Sequence, residues 1–443
     1  MQRLTSYKGI WEISFPIILS LIAQQMIVVA DTAFLGRVGE VELGASALAG
    51  IFYVALFMTG FGFGSGAQIM ISKRNGEKLY DQIGSIFSHA FYFLILLAIT
   101  LFSIEKLIGG TILNISIHSA EVRESAKIYL DIRIYGLFFA FVNTLFRFFY
   151  IGITQTRVLS IVAILMAIVN ISLDYVLIFG VWGFPEMGIA GAALASVISE
   201  ASATLFFIFF TYRTIDVKKY KLFNFNKPDF KAVGKLLSLS VYIMFQYFIS
   251  LSAWFTFFIF IEKLGERSLA SANIIRSIYM ILMIPGWAFG SAVSTLVGNM
   301  IGEGNYGSVM PVIKKVALMS LITMSFSILL GVLFPEQLLR VYTNNQDLIR
   351  FSLPSLYVVL IGLFVFSFNQ VFFSAISGTG NTLVALIIEI GTLIIYLTSA
   401  YLLAIQYKQP VHVIWICEAI YFGLLGIASM IYLSSGHWKK KVF

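Results

Sequence analysis

The chain has little of what a soluble or secreted fold depends on. One cysteine, Cys417, in 443 residues excludes an internal disulfide framework and a multi-thiolate metal site. The four histidines are scattered and give no metal-ligand spacing. Charged residues make up only 12% of the sequence. No HExxH pair and no nucleophile set beside a base is present, so nothing marks an integral-membrane enzyme.

Apolar length is what the chain has instead. Hydrophobic residues account for 59% and the mean hydropathy is +0.90. Runs of about 20 apolar residues recur, the length at which a helix crosses ~30 Å of hydrocarbon. Twelve spans are predicted, centred near residues 22, 59, 94, 140, 169, 200, 248, 284, 322, 365, 394 and 424, which makes the fold class all-α integral membrane. The opening stretch "MQRLTSYKGIWEISFPIILSLIAQQ" shows no small-residue cleavage site and runs into the first span, so no removable signal peptide is expected.

The net charge of +8 raises the question of a nucleic-acid partner, and its distribution answers it. With segments assigned alternately to two sides, 18 of the 30 Lys and Arg fall with the termini and the connections after even-numbered spans. The other side holds 10, Arg133 among them. The positive-inside rule puts both termini in the cytoplasm, for a multi-pass protein of the plasma (inner) membrane. The basic charge is a topology signal, no nucleic acid is expected, and the lipid bilayer is the surrounding partner of a monomer.

One constant shift lays the first half of the chain on the second without a gap. "YGLFFAFVNTLF" (135 to 146) falls on "IGLFVFSFNQVF" (361 to 372), and the same shift pairs Gly60 with Gly286, Phe63-Gly64-Ser65 with Phe289-Gly290-Ser291, and Gly152 with Gly378. The chain reads as a duplicated six-helix unit, with an N-lobe at 1–211, a cytoplasmic linker at 212–232 and a C-lobe at 233–443. An even number of spans per unit relates the copies by a pseudo-two-fold axis along the membrane normal. The repeated glycines have the small-xxx-small spacing of close helix packing.

Ionisable groups within spans carry the functional information, because a charge at the helix centre costs at least ~2.5 to 3.5 kcal/mol on insertion scales. The first half has Asp31 near the outer end of span one, Asp174 in span five and Glu200 in span six. Amides and a hydroxyl lie at compatible depths: Gln24, Asn143, Asn170 and Ser196. Asn170 and Asp174 are four apart and share a helix face. In the second half Phe257 stands opposite Asp31, Tyr396 opposite Asn170 and Ala400 opposite Asp174. A buried carboxylate pair can hold a proton near neutral pH, or, with Asn and Ser oxygens, bind a small cation such as sodium at Asp31, Asn170 and Asp174. Glu200 and Glu389 stand mid-span, each either a secondary protonation site or a satisfied interhelical bond. Glu418 has no partner legible in sequence. Arg147 and Arg276 read as snorkelling side chains. Pro16 removes an amide in span one, which predicts a bend and a candidate hinge.

At this point the motifs resemble those of the multidrug and toxic compound extrusion (MATE) transporters. They are "ADTAFLGRVGEVELGASALAG", "GSGAQIMISKRNGEK", "FRFFYIGITQTR", "NISLDYVLIFG" and "GIAGAALASVISE", echoed by "VGNMIGEGN" and "ISGTGNT". The resemblance implies two six-helix lobes, no cofactor, and antiport of organic, often cationic or amphipathic, drugs or toxic metabolites against protons or sodium. It places Asp31, Asn143, Asn170, Asp174 and Ser196 at the family's N-lobe cation network; Gln24, Asn143 and Asn369 are candidates for lining a substrate cavity. Span seven lacks the acid of the norfloxacin-efflux branch and span ten offers Asn369, a pattern closer to the DNA-damage-inducible protein F branch. The alternative is a lipid-linked saccharide flippase of the same superfamily, whose cavity would be lined with cations; only Arg147 and Arg276 lie near that depth.

Overall fold

A backbone that crosses hydrocarbon must satisfy its own N–H and C=O groups, so helices are the form an open chain can take there. The computed structural model describes residues 3–225 and 227–440, and among them every regular element is helical. The elements are α1 (Tyr7–Val38), α2 (Glu40–Gly76), α3 (Tyr80–Ser116), α4 (Ala120–Arg133), α5 (Gly136–Gly152), α6 (Arg157–Phe179) and α7 (Gly188–Thr214). After the short α8 (Val217–Tyr220) come α9 (Phe230–Glu262), α10 (Glu266–Leu282), α11 (Ile284–Gly302), α12 (Tyr306–Leu333), α13 (Gln346–Gly378), α14 (Thr382–Gln406) and α15 (Val411–Ser435).

Ten of these helices are long and apolar enough to cross a membrane, and two bent pairs bring the number to 12. The pairs are α4 with α5, bent by 52°, and α10 with α11, bent by 42°. Pro285 in the first turn of α11 lacks the N–H that would tie it to α10. By contrast, α1 continues as one helix through Pro16.

The register of the repeat holds in the helix limits. Residues 40–76 become 266–302 and residues 120–152 become 346–378, so α2 corresponds to α10 with α11, and α4 with α5 to α13. Each half therefore breaks a different member of the repeat. Turn conformations also recur: Lys78 (φ 61°) matches Gly304 (74°), Thr154 (63°) matches Gly380 (80°), and Trp182 (59°) matches Lys408 (46°). Left-handed backbone at non-glycine positions is disfavoured, so its recurrence at the same register shows that turn geometry outlived residue identity.

The chain falls into two compact units, one of Leu19–Met244 and one joining the residues up to Ile18 with those from Phe245 onward. Both junctions lie inside helices, α1 and α9, and they too are equivalent in the repeat, Leu19 corresponding to Phe245. The segment 212–232 lies within the unit Leu19–Met244. That stretch folds onto α3: Ser88 Oγ donates to the Asn224 carbonyl at 3.3 Å, the Asp229 amide donates to His89 Nε2 at 3.0 Å, and the Phe223 ring meets Phe87 edge-on with centroids 6.0 Å apart. Phe223 and Leu222 give the polar stretch an apolar anchor, which draws it onto the helix.

Close packing of α2 on α5 is made possible by Gly64. A Cβ there would stand 2.5 Å from the Phe148 ring and 2.9 Å from Thr144 Cγ2; at the equivalent Gly290 it would meet Ser374 Oγ at 2.7 Å. Gly64→Leu is therefore expected to destabilise the purified protein by about 1 to 3 kcal/mol, the usual cost of overpacking. Gly50→Leu, at a position with nothing within 4 Å of the added Cβ, is the comparison. Equal melting temperatures for the two variants would contradict the packing role of Gly64.

Candidate functional site

Within the unit Leu19–Met244, helices α1, α6 and α7 bring Asp31, Asn170, Asp174 and Ser196 together. Asn170 and Asp174 are fully buried and Ser196 nearly so. The two aspartate side chains lie within hydrogen-bonding reach of each other. Between them lies Asn170, whose amide nitrogen donates to Asp31 Oδ1 at 3.1 Å and to Asp174 Oδ2 at 3.2 Å in the orientation that satisfies both groups. The opposite end of that amide faces Ser196 Oγ at 3.5 Å. Asp174 Oδ1 is buried with no donor. Two carboxyl groups this close can hydrogen-bond to each other only by sharing a proton, because two carboxylates have none to give.

Asn143, expected in the same network, sits differently. Its Nδ2 donates to the Glu200 carbonyl at 2.9 Å and its Oδ1 accepts from Thr204 Oγ1 at 2.8 Å, so it ties α5 to α7. Asn369 packs its side chain where Gly426 has no Cβ, at 1.8 Å from the position such an atom would take. Gln24 is exposed on α1.

Next to the aspartates is a charge that sequence reasoning placed in a loop. Arg133, at the last turn of α4, donates from Nη2 to Glu200 Oε1 at 2.5 Å and from Nη1 to Glu200 Oε2 at 2.9 Å. The same Nη1 donates to the Tyr53 hydroxyl at 2.9 Å, and the guanidinium lies 3.9 Å over the Tyr53 ring. Gly136 leaves the room: a Cβ there would stand 2.2 Å from Arg133 Nη1 and 2.4 Å from Glu200 Oε2. Glu200 thus joins α7 to α4 through Arg133. The helical spacing of Ala126, Leu130 and Arg133, one face of α4, was the signal that could have pointed inward.

In the other unit, Glu389 and Glu418 are buried among hydroxyls. Ser250 Oγ and the Tyr421 hydroxyl both donate to Glu389 Oε1 at 2.6 Å. Tyr396 donates to Glu418 Oε1 at 2.7 Å and Tyr279 to Oε2 at 3.1 Å. The positions that match Asp31 and Asn170 hold a stacked pair, Phe257 and Tyr396, with ring centroids 5.5 Å apart. Arg147 donates to Ser20 Oγ at 3.2 Å, and Arg276 lies 5.4 Å over the Phe258 ring.

Comparison with known proteins gives a family model described as MatE, matched twice, at residues 16–176 and 243–402. The second match begins and ends, to within one position, where the register of the repeat would carry the first. The chain is similar to a probable multidrug resistance protein NorM of Thermotoga maritima, 26% identical over 98% of this chain and 93% of the relative. A second relative of that name, from Synechocystis, is 25% identical over 95% and 92%. Among solved structures, the outward-facing conformation of a multidrug resistance MATE family transporter superposes with a TM-score of 0.91 at 18% identity, covering 99% of this chain and 98% of the other. A MATE structure in the straight conformation gives 0.90 at 19%, over 99% of both chains.

The ion pair yields a stability prediction. Arg133→Leu leaves the Glu200 carboxylate without its partner in a buried setting, at an expected cost of about 3 to 5 kcal/mol, whereas the double variant Arg133→Leu with Glu200→Leu removes both charges and should be close to wild type. Thermal unfolding of the purified variants decides it. A double variant as unstable as the single one would refute the pairing.

Proposed function

The chain belongs to the MatE family, and from that premise we propose that it is a secondary active antiporter which exports small organic compounds, often cationic or amphipathic, in exchange for protons. The family is one of transporters and not of enzymes. The observation that carries the reading is the amide of Asn170 between two carboxyls within hydrogen-bonding reach of each other, Asp31 and Asp174. Such a triad has two useful states. With a proton shared, the pair bears a single negative charge and the helices α1 and α6 are joined; with that proton lost, two like charges stand in a low dielectric and repel. A protonation change thus becomes a force between helices.

The donor set favours a proton over sodium. A hard monovalent cation wants several oxygens, whereas the orientation of the Asn170 amide that satisfies both carboxyls offers them its nitrogen. Asp31, Asp174 and Ser196 are left as oxygen donors, and Ser196 lies at the far end of the amide. In this reading Asn143 holds α5 on α7 beside the pair, and Gln24, exposed on α1, faces the compound in transit. The pair's position in the first half alone supports placing the chain nearer the DNA-damage-inducible protein F branch.

The orientation we infer has both termini and the segment 212–232 in the cytoplasm of a plasma-membrane monomer, on the distribution of Lys and Arg. A cysteine introduced at Lys218, which is exposed on α8, should resist an impermeant thiol reagent added to intact cells and react once the cells are opened. Labelling from outside would invert the topology.

Vesicle flux tests the coupling. Drug efflux from loaded vesicles should follow an imposed pH gradient and ignore a sodium gradient. Asp31→Asn and Asp174→Asn, at wild-type levels in the membrane, should each slow it by roughly tenfold or more, the effect of about 1.4 kcal/mol. Wild-type transport by both variants, or transport driven by sodium alone, would refute this assignment.

A further inference from the structure

We propose a second proton-exchange site, in the unit that runs from Phe245 onward, with Glu389 of α14 as the carboxyl that carries the proton and Gln246 of α9 as its acceptor. Glu389 is 2% exposed. Its two oxygens are treated unequally: Oε1 takes the hydroxyls of Ser250 and Tyr421, both at 2.6 Å, while Oε2 has no partner. Gln246 lies one turn before Ser250 on the same face of α9, and its Oε1 is likewise buried with no donor. Two buried acceptors without a donor, on two helices joined through the Ser250–Glu389 hydrogen bond, are a costly arrangement. One proton on Glu389 Oε2, donated to Gln246 Oε1, satisfies both. A neutral carboxylic acid is also the form in which this side chain presents a donor.

The surroundings supply nothing else to neutralise the group. The titratable groups that face it are Tyr421 and, beyond that ring, Tyr396, whose centroid is 5.4 Å from that of Tyr421, then Glu418 and Tyr279. Among the described residues no Lys, Arg or His forms an ion pair with Glu389. Glu418 serves as the internal contrast, since both of its oxygens accept from tyrosines. Its hydrogen bonds are complete without a proton of its own, so it is assigned a structural role.

The repeat shows that the scaffold does not require this carboxyl. The equivalent positions in the first half are Ala163 for Glu389, Ala195 for Tyr421, Ser20 for Gln246 and Gln24 for Ser250. The carboxyl and the tyrosine have only alanines as counterparts there, whereas the two positions on the first helix stay polar. Each half thus carries a carboxyl site at a place where the other is apolar or neutral.

The test is spectroscopic, so it does not depend on the antiport reading except for its last arm. The full-length chain carrying Asp31→Asn and Asp174→Asn is reconstituted in lipid vesicles, and infrared difference spectra are recorded on acidification at fixed sodium. One carbonyl band of a buried neutral carboxyl should remain. It should vanish in Glu389→Gln, shift in Gln246→Leu and be unchanged in Glu418→Gln. If Glu389→Gln does not fold, the Gln246→Leu shift carries the test. A band insensitive to both Glu389→Gln and Gln246→Leu overturns the proposal, as does a band that sodium removes at constant pH. In the otherwise wild-type chain, Glu389→Gln should displace the pH profile of drug efflux; an unchanged profile with the band lost overturns the exchange role. Failure of proton-driven efflux in the wild type would refute the antiport reading and leave the band in place.

Discussion

The constraint on which the rest depends is the absence of water from the hydrocarbon layer. It forces the backbone into helices, and it leaves each polar side chain inside a span to find a partner among its neighbours or to exchange protons or ions with the solution. Seen this way, the buried polar groups of the chain sort themselves by how completely they are partnered. Arg133 and Glu200 satisfy each other through two hydrogen bonds, with Tyr53 taking a third. Glu418 is satisfied by two tyrosines. Asp174, Glu389 and Glu105 each keep one oxygen without a donor; that of Glu105 faces Lys106 at 3.8 Å, while the other two have no ion pair among the described residues.

Duplication makes that sorting more telling. The halves share helix limits, left-handed turns and even the position at which each first helix passes from one compact unit to the other. What they do not share is charge. The Asp31–Asn170 contact becomes a Phe257–Tyr396 stack, and the place of Glu200 becomes Gly426, filled by Asn369. An aromatic stack and a close-packed glycine perform the same packing task without a carboxylate at either position. The ionisable groups were therefore kept, or acquired, for something besides packing.

Much of this was legible in sequence because its causes are local or periodic. Span length follows from bilayer thickness, the repeat from a constant register, and the Asn170–Asp174 face from a spacing of four. Asp31 could be joined to them by depth along its span. What was not legible rests on tertiary choice. Arg133 and Glu200 are 67 residues apart, and Arg133 stood in a segment whose other charges, among them Glu121, Arg123 and Lys127, made it look like a loop. Only its register with Ala126 and Leu130 turned it inward. Glu418 and Tyr279 are 139 residues apart, and tyrosine hydroxyls are too common in such chains to be paired by inspection. The fold of 212–232 onto α3 depended on a backbone amide reaching a histidine ring, which composition does not encode.

The bend between α4 and α5 is where burial, repeat and charge meet. Its equivalent in the second half, α13, runs unbroken for 33 residues, although both carry the repeat glycine, Gly136 or Gly362. The glycine alone does not make a bend. What the first half adds is Arg133 at the end of α4, held by Glu200 of α7 and Tyr53 of α2 in the space that Gly136 leaves open. A buried charge pair is a poor source of net stability, but it is unforgiving of geometry, because either ion left alone costs several kcal/mol. It can therefore fix where α4 ends and at what angle α5 begins. The same α7 carries Ser196 one turn before Glu200, so the pair that sets the bend also sets the wall against which Asn170 and the two aspartates are placed.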